Sequence, residues 1–391
     1  MNDVVKAYVG AQIHDGHNLH ENHALVVDKQ GATSLCPHYA LPPGCKLQKL
    51  DGGMIAPGFV DLQVNGGGGV MFNDDQSVDA LRTIAEAHSG IGTAALLPTL
   101  ITDTPERTKA AIRAVKQAIA EGVPGIAGIH LEGPHLSVRR KGAHDPDLIR
   151  PMEDQDLRLL IETAEQVPNV MVTVAPENTT VAQMEELTDA GVILSLGHTD
   201  ADHDTCMAAF DAGVKCVTHL FNAMSQMGNR EPGLVGATLA RDDVYAGLIA
   251  DGIHVHPTTM RNALAAKAVS DRVFLVTDAM ATAGSAISGF TINGRRVFRK
   301  DGRLTLADGT LAGADLEMAR AISILTEEVG EEMRRALARA TSLPAEILRD
   351  TQGLGSLSGK LGSVLYFGKG RLEPEWLHRV TEDANDIAFA P

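Results

Sequence analysis

The residues of this sequence that could do chemistry are a glutamate, two histidines and an aspartate, each placed at the end of a short apolar run. They are Glu132, His198, His219 and Asp278. One carboxylate and two imidazoles suit Zn²⁺ or another borderline divalent cation with an open coordination position. Water bound to such a cation is acidified towards neutrality and becomes a nucleophile. The pattern therefore predicts a hydrolytic site in which Glu132, His198 and His219 hold a metal.

Asp278 is predicted to handle protons beside that metal. As a general base it would take the proton of the bound water, and as a general acid it would pass that proton to a leaving group. Each residue alone has an ordinary structural alternative, since Asp278 could cap a helix and Glu132 could cap or form a salt bridge. Three metal-capable side chains, all at the ends of predicted strands, favour the functional interpretation.

Three further residues lie in loops close to these positions. His144 could polarise a carbonyl as a hydrogen-bond donor, or it could be a surface histidine. His254 follows the seventh apolar run and could bind substrate hydroxyls. Arg230 is the only cation of the loop 222–233. It could clamp a phosphate or carboxylate, or it could be a solvated surface arginine.

The elements that must position these residues are apolar runs that alternate with helix-like segments from Pro57 onward. The runs cover residues 59–64, 93–97, 126–131, 170–175, 192–196, 215–219, 245–250 and 273–277, and the clearest helical segments are 104–121, 154–166, 201–213 and 258–270. Eight strand–helix alternations over about 290 residues predict an α/β protein with a closed (β/α)8 TIM-like barrel, whose carboxyl strand ends carry the active site. A doubly wound open sheet fits the count, but it offers no reason for ligands on strands scattered through the whole order.

Both ends of the chain differ from the barrel in character. Residues 1–56 contain short β-like pieces broken by Gly, Pro and Asn, and residues 354–391 return to Gly-punctuated β-like sequence. We predict one small β domain, a sandwich built from both ends, with the catalytic barrel over residues 57–353. Between barrel and tail, residues 314–330 and 331–339 are predicted to be helices.

Composition limits the partners and the compartment. The net charge of −16 argues against nucleic-acid or anionic-membrane partners, which need basic surfaces, but not against a small anionic substrate. The four cysteines show no regular spacing, which indicates a reducing compartment. The sequence has no signal pattern and no apolar run of about 20 residues, the length of a membrane span, so we predict a cytoplasmic protein.

The motifs around these residues resemble the amidohydrolase superfamily and, within it, the N-acetylglucosamine-6-phosphate deacetylases. The segments that carry the resemblance are PGFVDLQVNG at 57–66, HLEGP at 130–134, KGAH at 141–144, GHT at 197–199, THLFNAM at 218–224, ADGIHV at 250–255 and TDA at 277–279. They occur in the right order across the whole barrel, and HLEGP and THLFNAM are specific to the deacetylases.

The resemblance implies metal-dependent hydrolysis of N-acetyl-D-glucosamine 6-phosphate to D-glucosamine 6-phosphate and acetate, in amino-sugar metabolism. Metal-bound hydroxide would attack the acetyl carbonyl, with Asp278 as base and then acid and His144 polarising the carbonyl. Glu132, His198 and His219 fall on the metal ligands of the family. The implied substrate-binding residues are Ala143, Asn222, Ala223, Arg230 and His254, with Arg230 towards the phosphate, and Leu311, Ala312 and Gly313 in a closing loop.

The resemblance also implies a homodimer and bears on the number of metals. The superfamily offers His-x-His on its first strand to a second metal, whereas this chain has Gln63 and Asn65, and carboxamides are poor ligands for such a metal. We therefore expect one divalent metal per subunit. Zn²⁺ is the first choice, and Fe²⁺, Co²⁺ or Mn²⁺ would accept the same ligands. The alternatives are another amidohydrolase, such as a cyclic-amide hydrolase or a deaminase, and a non-catalytic sugar-phosphate-binding protein.

Overall fold

The computed structural model describes residues 4–351, 353–359 and 361–380. Its central element is a sheet of eight parallel strands that pair in chain order. The strands are β1 (Phe59–Val64), β2 (Thr93–Ile101), β3 (Ile129–Glu132), β4 (Val170–Val174), β5 (Ile193–Leu196), β6 (Cys216–Val217), β7 (Tyr245–Leu248) and β8 (Val273–Leu275). Val64 at the end of β1 forms a parallel bridge with Ala279 just after β8, which brings the two outer strands together.

The predicted (β/α)8 barrel is confirmed, and the doubly wound sheet is excluded because its strand order would reverse at a switch point. A helix follows each strand along the chain. These helices are α1 (Val78–Gly90), α2 (Pro105–Ala120), α3 (Asp154–Gln166), α4 (Val181–Asp189), α5 (His203–Asp211), α6 (Gly233–Ala240), α7 (Pro257–Ala266) and α8 (Met318–Ile324). The Thr104 side chain caps α2 by accepting the Arg107 amide, and Pro105 occupies the first turn, where no amide is needed. Within the described part of the chain, no helix has the length and apolar character needed to cross a bilayer.

Four smaller sheets lie outside the barrel sheet in the described residues, one of them a hairpin of Gly66–Gly67 and Val70–Met71, and two of them are built from the ends of the chain. The first contains, in order, Thr33–Pro37, His23–Asp28, Val4–Val9 and Lys46–Lys49, and the second contains Pro374–Trp376, Val364–Phe367, Met54–Pro57, Gln12–His14 and Leu19–His20. Strand Val364–Phe367 runs antiparallel to Met54–Pro57, so the two ends of the chain share one sheet, as predicted. In the tail the strand begins only at Val364, later than the β-like sequence indicated. Residues 1–3, 360 and 381–391 of the predicted domain lie outside the described residues.

The segment between β8 and α8 is a four-stranded antiparallel sheet to which the sequence analysis assigned no element. Its strands are Gly289–Ile292, Arg295–Lys300, Arg303–Thr305 and Leu311–Ala314, and we call it the insertion sheet. Its first two turns contain Asn293-Gly294 and Asp301-Gly302, with all four residues at positive φ, as tight hairpin turns require. These dipeptides were the signal that could have identified it. The helix predicted from residue 314 was therefore wrong at its start, since α8 begins at Met318 and continues as a π-helical segment over Leu325–Val329.

Helix α9 (Met333–Ala340) is tied to the start of β8 by a buried arginine. The Arg339 side chain has no exposed surface and donates to both carboxylate oxygens of Glu331 at 2.6–3.0 Å. It also donates to the carbonyl oxygens of Ser270 (2.8 Å) and Val273 (2.6 Å). Two short helices, α10 (Ser342–Ala345) and α11 (Leu377–Val380), complete the α-helices of the described residues.

Replacing Arg339 by Met is expected to lower the free energy of unfolding by roughly 3–5 kcal/mol, because Glu331 would stay buried without its partner. Urea unfolding followed by circular dichroism measures the loss. The matched control is Arg335→Met on the same helix, whose partner Asp271 is 65 % exposed, and there we expect less than about 1 kcal/mol. Equal losses in the two variants would contradict this account.

Candidate active site

Glu132, His198 and His219 lie together at the carboxyl ends of the barrel strands, although up to 87 residues separate them in the chain. Glu132 is the last residue of β3, and the two histidines follow β5 and β6. The Oε1 atom of Glu132 lies 3.1 Å from Nε2 of His198 and 3.1 Å from Nε2 of His219. The two Nε2 atoms are also 3.1 Å apart, and all three side chains are buried. Three potential ligand atoms therefore face one small volume.

The hydrogen bonds behind His198 determine which ring nitrogen carries the proton. Its Nδ1 lies 2.8 Å from the carbonyl oxygen of Arg140, which can only accept, so Nδ1 carries the hydrogen and Nε2 of the neutral ring keeps its lone pair. Burial alone would raise the pKa of Glu132, but interaction with the His198 and His219 rings, which donate to the carboxylate when they are protonated, holds this pKa well below its ordinary value, so the carboxylate is ionised. An ionised carboxylate and two imidazole nitrogens are a donor set that fits a borderline divalent cation.

A polar network supports the loop that carries His198. The side chain of Asp200 accepts from the Arg140 guanidinium at 2.7 and 2.8 Å, and this holds the residue whose carbonyl orients His198. Glu177 accepts from the Thr199 hydroxyl at 2.6 Å and from the Asp200 amide at 2.7 Å. Outer partners of this kind orient metal ligands. The sequence analysis did not identify Glu177 or Asp200, because nothing local to them indicates chemistry.

Several site residues have left-handed backbone conformations. The φ angles are +49° at His198, +32° at His219, +47° at Ala223 and +49° at Asp278. For residues with a side chain this conformation costs about 1–3 kcal/mol each, and it persists only where the surroundings determine it. The strand ends therefore turn sharply at the residues whose side chains meet.

Asp278 is buried next to the three clustered side chains. Its Oδ1 accepts from Asn65 Nδ2 at 2.7 Å and from Gln63 Nε2 at 3.3 Å, and Gln63 Nε2 is also 3.3 Å from Oε1 of Glu132. Burial and the charge of Glu132 raise the pKa of Asp278 to about 6. The carboxamides of Gln63 and Asn65 on β1 thus donate hydrogen bonds to the acids of the site.

His144 is fully buried, with its ring centroid 4.4 Å from that of His198. Nδ1 of His144 lies 2.8 Å from the Thr102 hydroxyl and accepts the Thr102 backbone amide at 3.3 Å, so the hydrogen of the neutral ring lies on Nε2 when the hydroxyl also donates to Nδ1. Burial lowers the pKa of His144 well below its ordinary value, so the ring stays neutral. A neutral histidine with a free Nε2–H can donate one hydrogen bond to an oxygen.

A cavity of about 240 Å³ opens above these residues. The predicted site residues that line it are Glu132, Ala143, His144, His198, His219, Asn222, Ala223, His254, Asp278, Leu311 and Gly313. Two predicted residues do not line it. Ala312 is buried within the insertion sheet, and Arg230 is exposed on the loop after β6. Ile101, Ile249, Met280 and Thr310 also line the cavity, and the sequence analysis did not select them.

The model of the amidohydrolase family matches residues 54–361, which include the whole barrel. The chain belongs to the amidohydrolase family.

Similar proteins carry deacetylase names. An N-acetylgalactosamine-6-phosphate deacetylase of Shewanella sp. (strain ANA-3) is 41% identical over 82% of this chain and 78% of its own length. An N-acetylglucosamine-6-phosphate deacetylase of Haemophilus influenzae is 33% identical over 92% of this chain and 94% of its own. The crystal structure of N-acetylglucosamine-6-phosphate deacetylase from Pasteurella multocida has a TM-score of 0.88 at 33% identity, covering 94% of this chain and 96% of that one. The chain thus falls among the N-acetylated amino-sugar 6-phosphate deacetylases of the amidohydrolase family, which is metal-dependent.

In this amidohydrolase, His254 has a carboxylate partner that the sequence analysis overlooked. Nδ1 of His254 lies 2.6 Å from Oδ2 of Asp251, while Oδ1 of Asp251 accepts the amides of Ile253 (2.8 Å) and His254 (2.7 Å). The bond to a carboxylate places a hydrogen on Nδ1. The spacing of three residues between Asp251 and His254, directly after a strand, was the available signal.

Proposed function

We propose that this amidohydrolase hydrolyses the acetamide of N-acetyl-D-glucosamine 6-phosphate to D-glucosamine 6-phosphate and acetate. The observation that carries the proposal is Asp278 buried beside the convergent Glu132, His198 and His219 side chains, at the base of a cavity of about 240 Å³. The names of the relatives supply the substrate, since they are similar over more than two thirds of both chains.

The mechanism follows from what each side chain can do. A divalent cation held by Glu132, His198 and His219 would polarise a carbonyl and acidify water when bound. Asp278 takes the proton of the attacking water and then delivers it to the departing amine nitrogen as the C–N bond breaks. Within the described part of the chain, the hydrogen bonds to the Asp278 carboxylate end on Oδ1, which leaves Oδ2 for the transferred proton. His144 donates its Nε2–H to the acetyl oxygen, where negative charge develops.

The cavity walls are assigned to the sugar phosphate. Asn222 and Ala223 on the loop after β6, His254 after β7, and Ala143 beside His144 would contact the substrate. From the insertion sheet, Leu311 and Gly313 line the cavity directly, and Ala312 lies between them in the same strand. We propose that this strand closes over the bound sugar.

Arg230 is assigned to the phosphate, although its side chain is exposed and does not line the cavity. A bidentate guanidinium–phosphate pair forms when the loop after β6 turns towards the cavity mouth. Arg230→Ala is then expected to raise KM for the phosphorylated sugar about 10-fold or more with kcat nearly unchanged, as loss of a charge-assisted hydrogen bond of about 1.5–3 kcal/mol implies.

The control is Arg113→Ala, an exposed arginine on α2 for which we expect no change. The measurement is initial-rate acetate release from N-acetylglucosamine with and without the 6-phosphate. An unchanged preference for the phosphorylated sugar in Arg230→Ala would show that the phosphate is held elsewhere.

N-acetyl-D-galactosamine 6-phosphate is a second candidate substrate. It differs only at the C4 hydroxyl, and a relative of that name is 41% identical to this chain over 322 residues. The deciding experiment compares kcat/KM for the two epimers on protein of counted metal content, with and without a chelator. Chelator-sensitive acetate release from either sugar supports deacetylation, and the larger kcat/KM identifies the substrate.

If acetate is released from neither sugar although the metal is bound, the proposal is wrong. The result would then point to another amidohydrolase reaction, such as hydrolysis of a cyclic amide or a deamination. Binding of the sugar phosphate without turnover would instead indicate a non-catalytic binding protein. Asp278 lies beside the three ligand side chains, where it can transfer protons. A protein that only binds the sugar phosphate would have no use for such a residue.

The remaining assignments are also proposals. We propose one divalent cation per chain, with Zn²⁺ as the first choice. This is supported by the three-ligand cluster and by the carboxamides of Gln63 and Asn65, which take the place of ligands for a second metal.

A homodimer in the cytoplasm is proposed from the family resemblance and the composition. The chain is proposed to divide into a catalytic barrel over residues 57–353 and a small β domain over residues 1–56 and 354–391, which is supported by the sheet shared by its two ends.

A further inference from the structure

Asp61 in the middle of β1 is a fully buried acid that the proposed mechanism does not use. Its Oδ2 accepts the hydroxyl of Thr277 at 2.5 Å. Its Oδ1 accepts the backbone amides of Thr277 at 3.3 Å and of Gln63 at 3.2 Å. Among the described residues, the groups that donate to the Asp61 carboxylate are thus neutral and belong to Gln63 on β1 and Thr277 just after β8.

These contacts hold both neighbours of Asp278. Thr277 precedes it and is bound by Asp61 through side chain and backbone. Ala279 follows it, and its amide donates to the Thr277 hydroxyl oxygen at 3.2 Å. The Ala279 carbonyl then accepts the amides of Asn65 at 2.8 Å and Gly66 at 3.2 Å. The hydroxyl of Thr277 thereby links Asp61 to the backbone on the far side of Asp278.

The backbone at Asp278 needs such support. The regular ladder of β8 ends at Leu275, and beyond it the barrel closes through the bridge between Val64 and Ala279. On its other side this turn contacts the insertion sheet, where the Ala314 amide donates to the Asp278 carbonyl at 2.9 Å. Asp278 itself has φ of +49°, a conformation that persists in a residue with a side chain only where its surroundings determine it. Asp61 also fixes the amide of Gln63, whose side chain donates to Oδ1 of Asp278.

We infer that Asp61 is a positioning residue, which holds the Thr277–Asp278–Ala279 turn so that the Asp278 carboxylate meets Asn65, Gln63 and the ligand cluster. The inference rests on the proposed role of Asp278. Burial of an acid without a cationic partner is unfavourable, and burial raises the pKa of Asp61 to about 7 against the opposing hydrogen bonds from Thr277 and Gln63. An apolar side chain of similar size would fill the same space at less cost in stability. The presence of an acid at this position is therefore explained by the hydrogen bonds that it accepts.

The test compares Asp61→Ala with Asp61→Asn and Thr277→Val with Thr277→Ser, each on protein of counted metal content. Asp61→Ala and Thr277→Val break the link, and we expect kcat to fall about 10²-fold with KM within about threefold of wild type and the metal retained, because a displacement of about 1 Å in a catalytic group costs this much. Asp61→Asn keeps an acceptor for the two amides and can donate to the Thr277 oxygen, and Thr277→Ser keeps the hydroxyl. Both are expected to stay within about fivefold of wild type, since the hydrogen bonds are preserved.

Thr238→Val is the control for loss of a buried hydroxyl elsewhere. Thr238 lies in α6, has no exposed surface and donates to the Leu234 carbonyl at 2.7 Å. Its kcat is expected to equal that of wild type. A kcat for Thr277→Val equal to that of Thr238→Val overturns the inference, and so does an Asp61→Asn variant as impaired as Asp61→Ala. If Asp61→Ala does not fold, the Thr277 pair decides alone.

A structural readout separates this inference from the proposed function. If wild-type protein releases acetate from neither sugar phosphate, the proposed function fails, and the crystal structure of Thr277→Val then decides the inference. We expect Asp278 to leave the left-handed region and its contact with Asn65 to be lost. Retention of φ near +49° and of the 2.7 Å contact would overturn the positioning role.

Discussion

Asp278→Asn is expected to lower kcat by roughly 10²–10⁴-fold, the range measured for loss of a general acid–base group, with the metal retained. The loss should lie near the upper end because one carboxylate is assigned two proton transfers. Asn has nearly the same shape, and its carbonyl oxygen can still accept the bond from Asn65 at 2.7 Å in the wild-type protein. The amide cannot take a proton from water or return one to the amine, so the chemical step alone should fail.

The measurement is kcat and KM for acetate release, together with metal content and the affinity for the substrate in the inactive variant. KM and metal content should stay within about threefold of wild type, as expected when only transition-state interactions are lost. Asp79→Asn on the exposed face of α1 serves as the matched charge control, and we expect full activity there. Near-normal turnover by Asp278→Asn would remove Asp278 from the proton-transfer role.

His219→Ala is expected to abolish both metal retention and activity. The substitution removes one of three ligand atoms and leaves Glu132 with a single histidine partner at 3.1 Å. Loss of an outer partner of a metal ligand already lowers metal affinity about 10–100-fold, so loss of the ligand itself should exceed that. Metal content after dialysis, measured by elemental analysis, should fall from about one per chain, the count expected for one three-ligand site, to near background.

The control for this substitution is His203→Ala, a histidine at the start of α5 that does not line the cavity. It should keep the wild-type metal content and rate. Circular dichroism must show that His219→Ala is folded, since the residue is buried. A folded His219→Ala protein that keeps one tightly bound metal would remove His219 from the ligand set.

Much of the fold was predictable because it depends on local sequence. The eight apolar runs correspond to β1–β8, and their bounds shift by only a few residues, because a buried parallel strand needs a continuous apolar segment whatever its neighbours are. Helix α3 has the predicted bounds of residues 154–166. The insertion sheet was missed because its strands mix apolar and charged residues and are stabilised by pairing with each other rather than by local preference.

The types of the site residues and their meeting at one edge of the barrel were also predictable, whereas the geometry of their contacts was not. Glu132, His198 and His219 stand out as a carboxylate and two imidazoles at strand ends, and parallel strand ends share one edge of a barrel. The distances of 3.1 Å between their ligand atoms depend on left-handed turns at His198 and His219. No sequence pattern requires a non-glycine residue to adopt that conformation, because the surrounding contacts impose it.

The sequence by itself determined the chemical groups, their order along the chain and the strand ends on which they lie. Only the tertiary structure decided which of them meet and what orients them. It placed Arg230 on the surface outside the cavity and Leu311 and Gly313 inside it. It also joined Asp61 to Thr277 across 216 residues and Asp200 to Arg140 across 60. These pairings depend on the closed path of the whole barrel, so no local segment contains enough information to specify them.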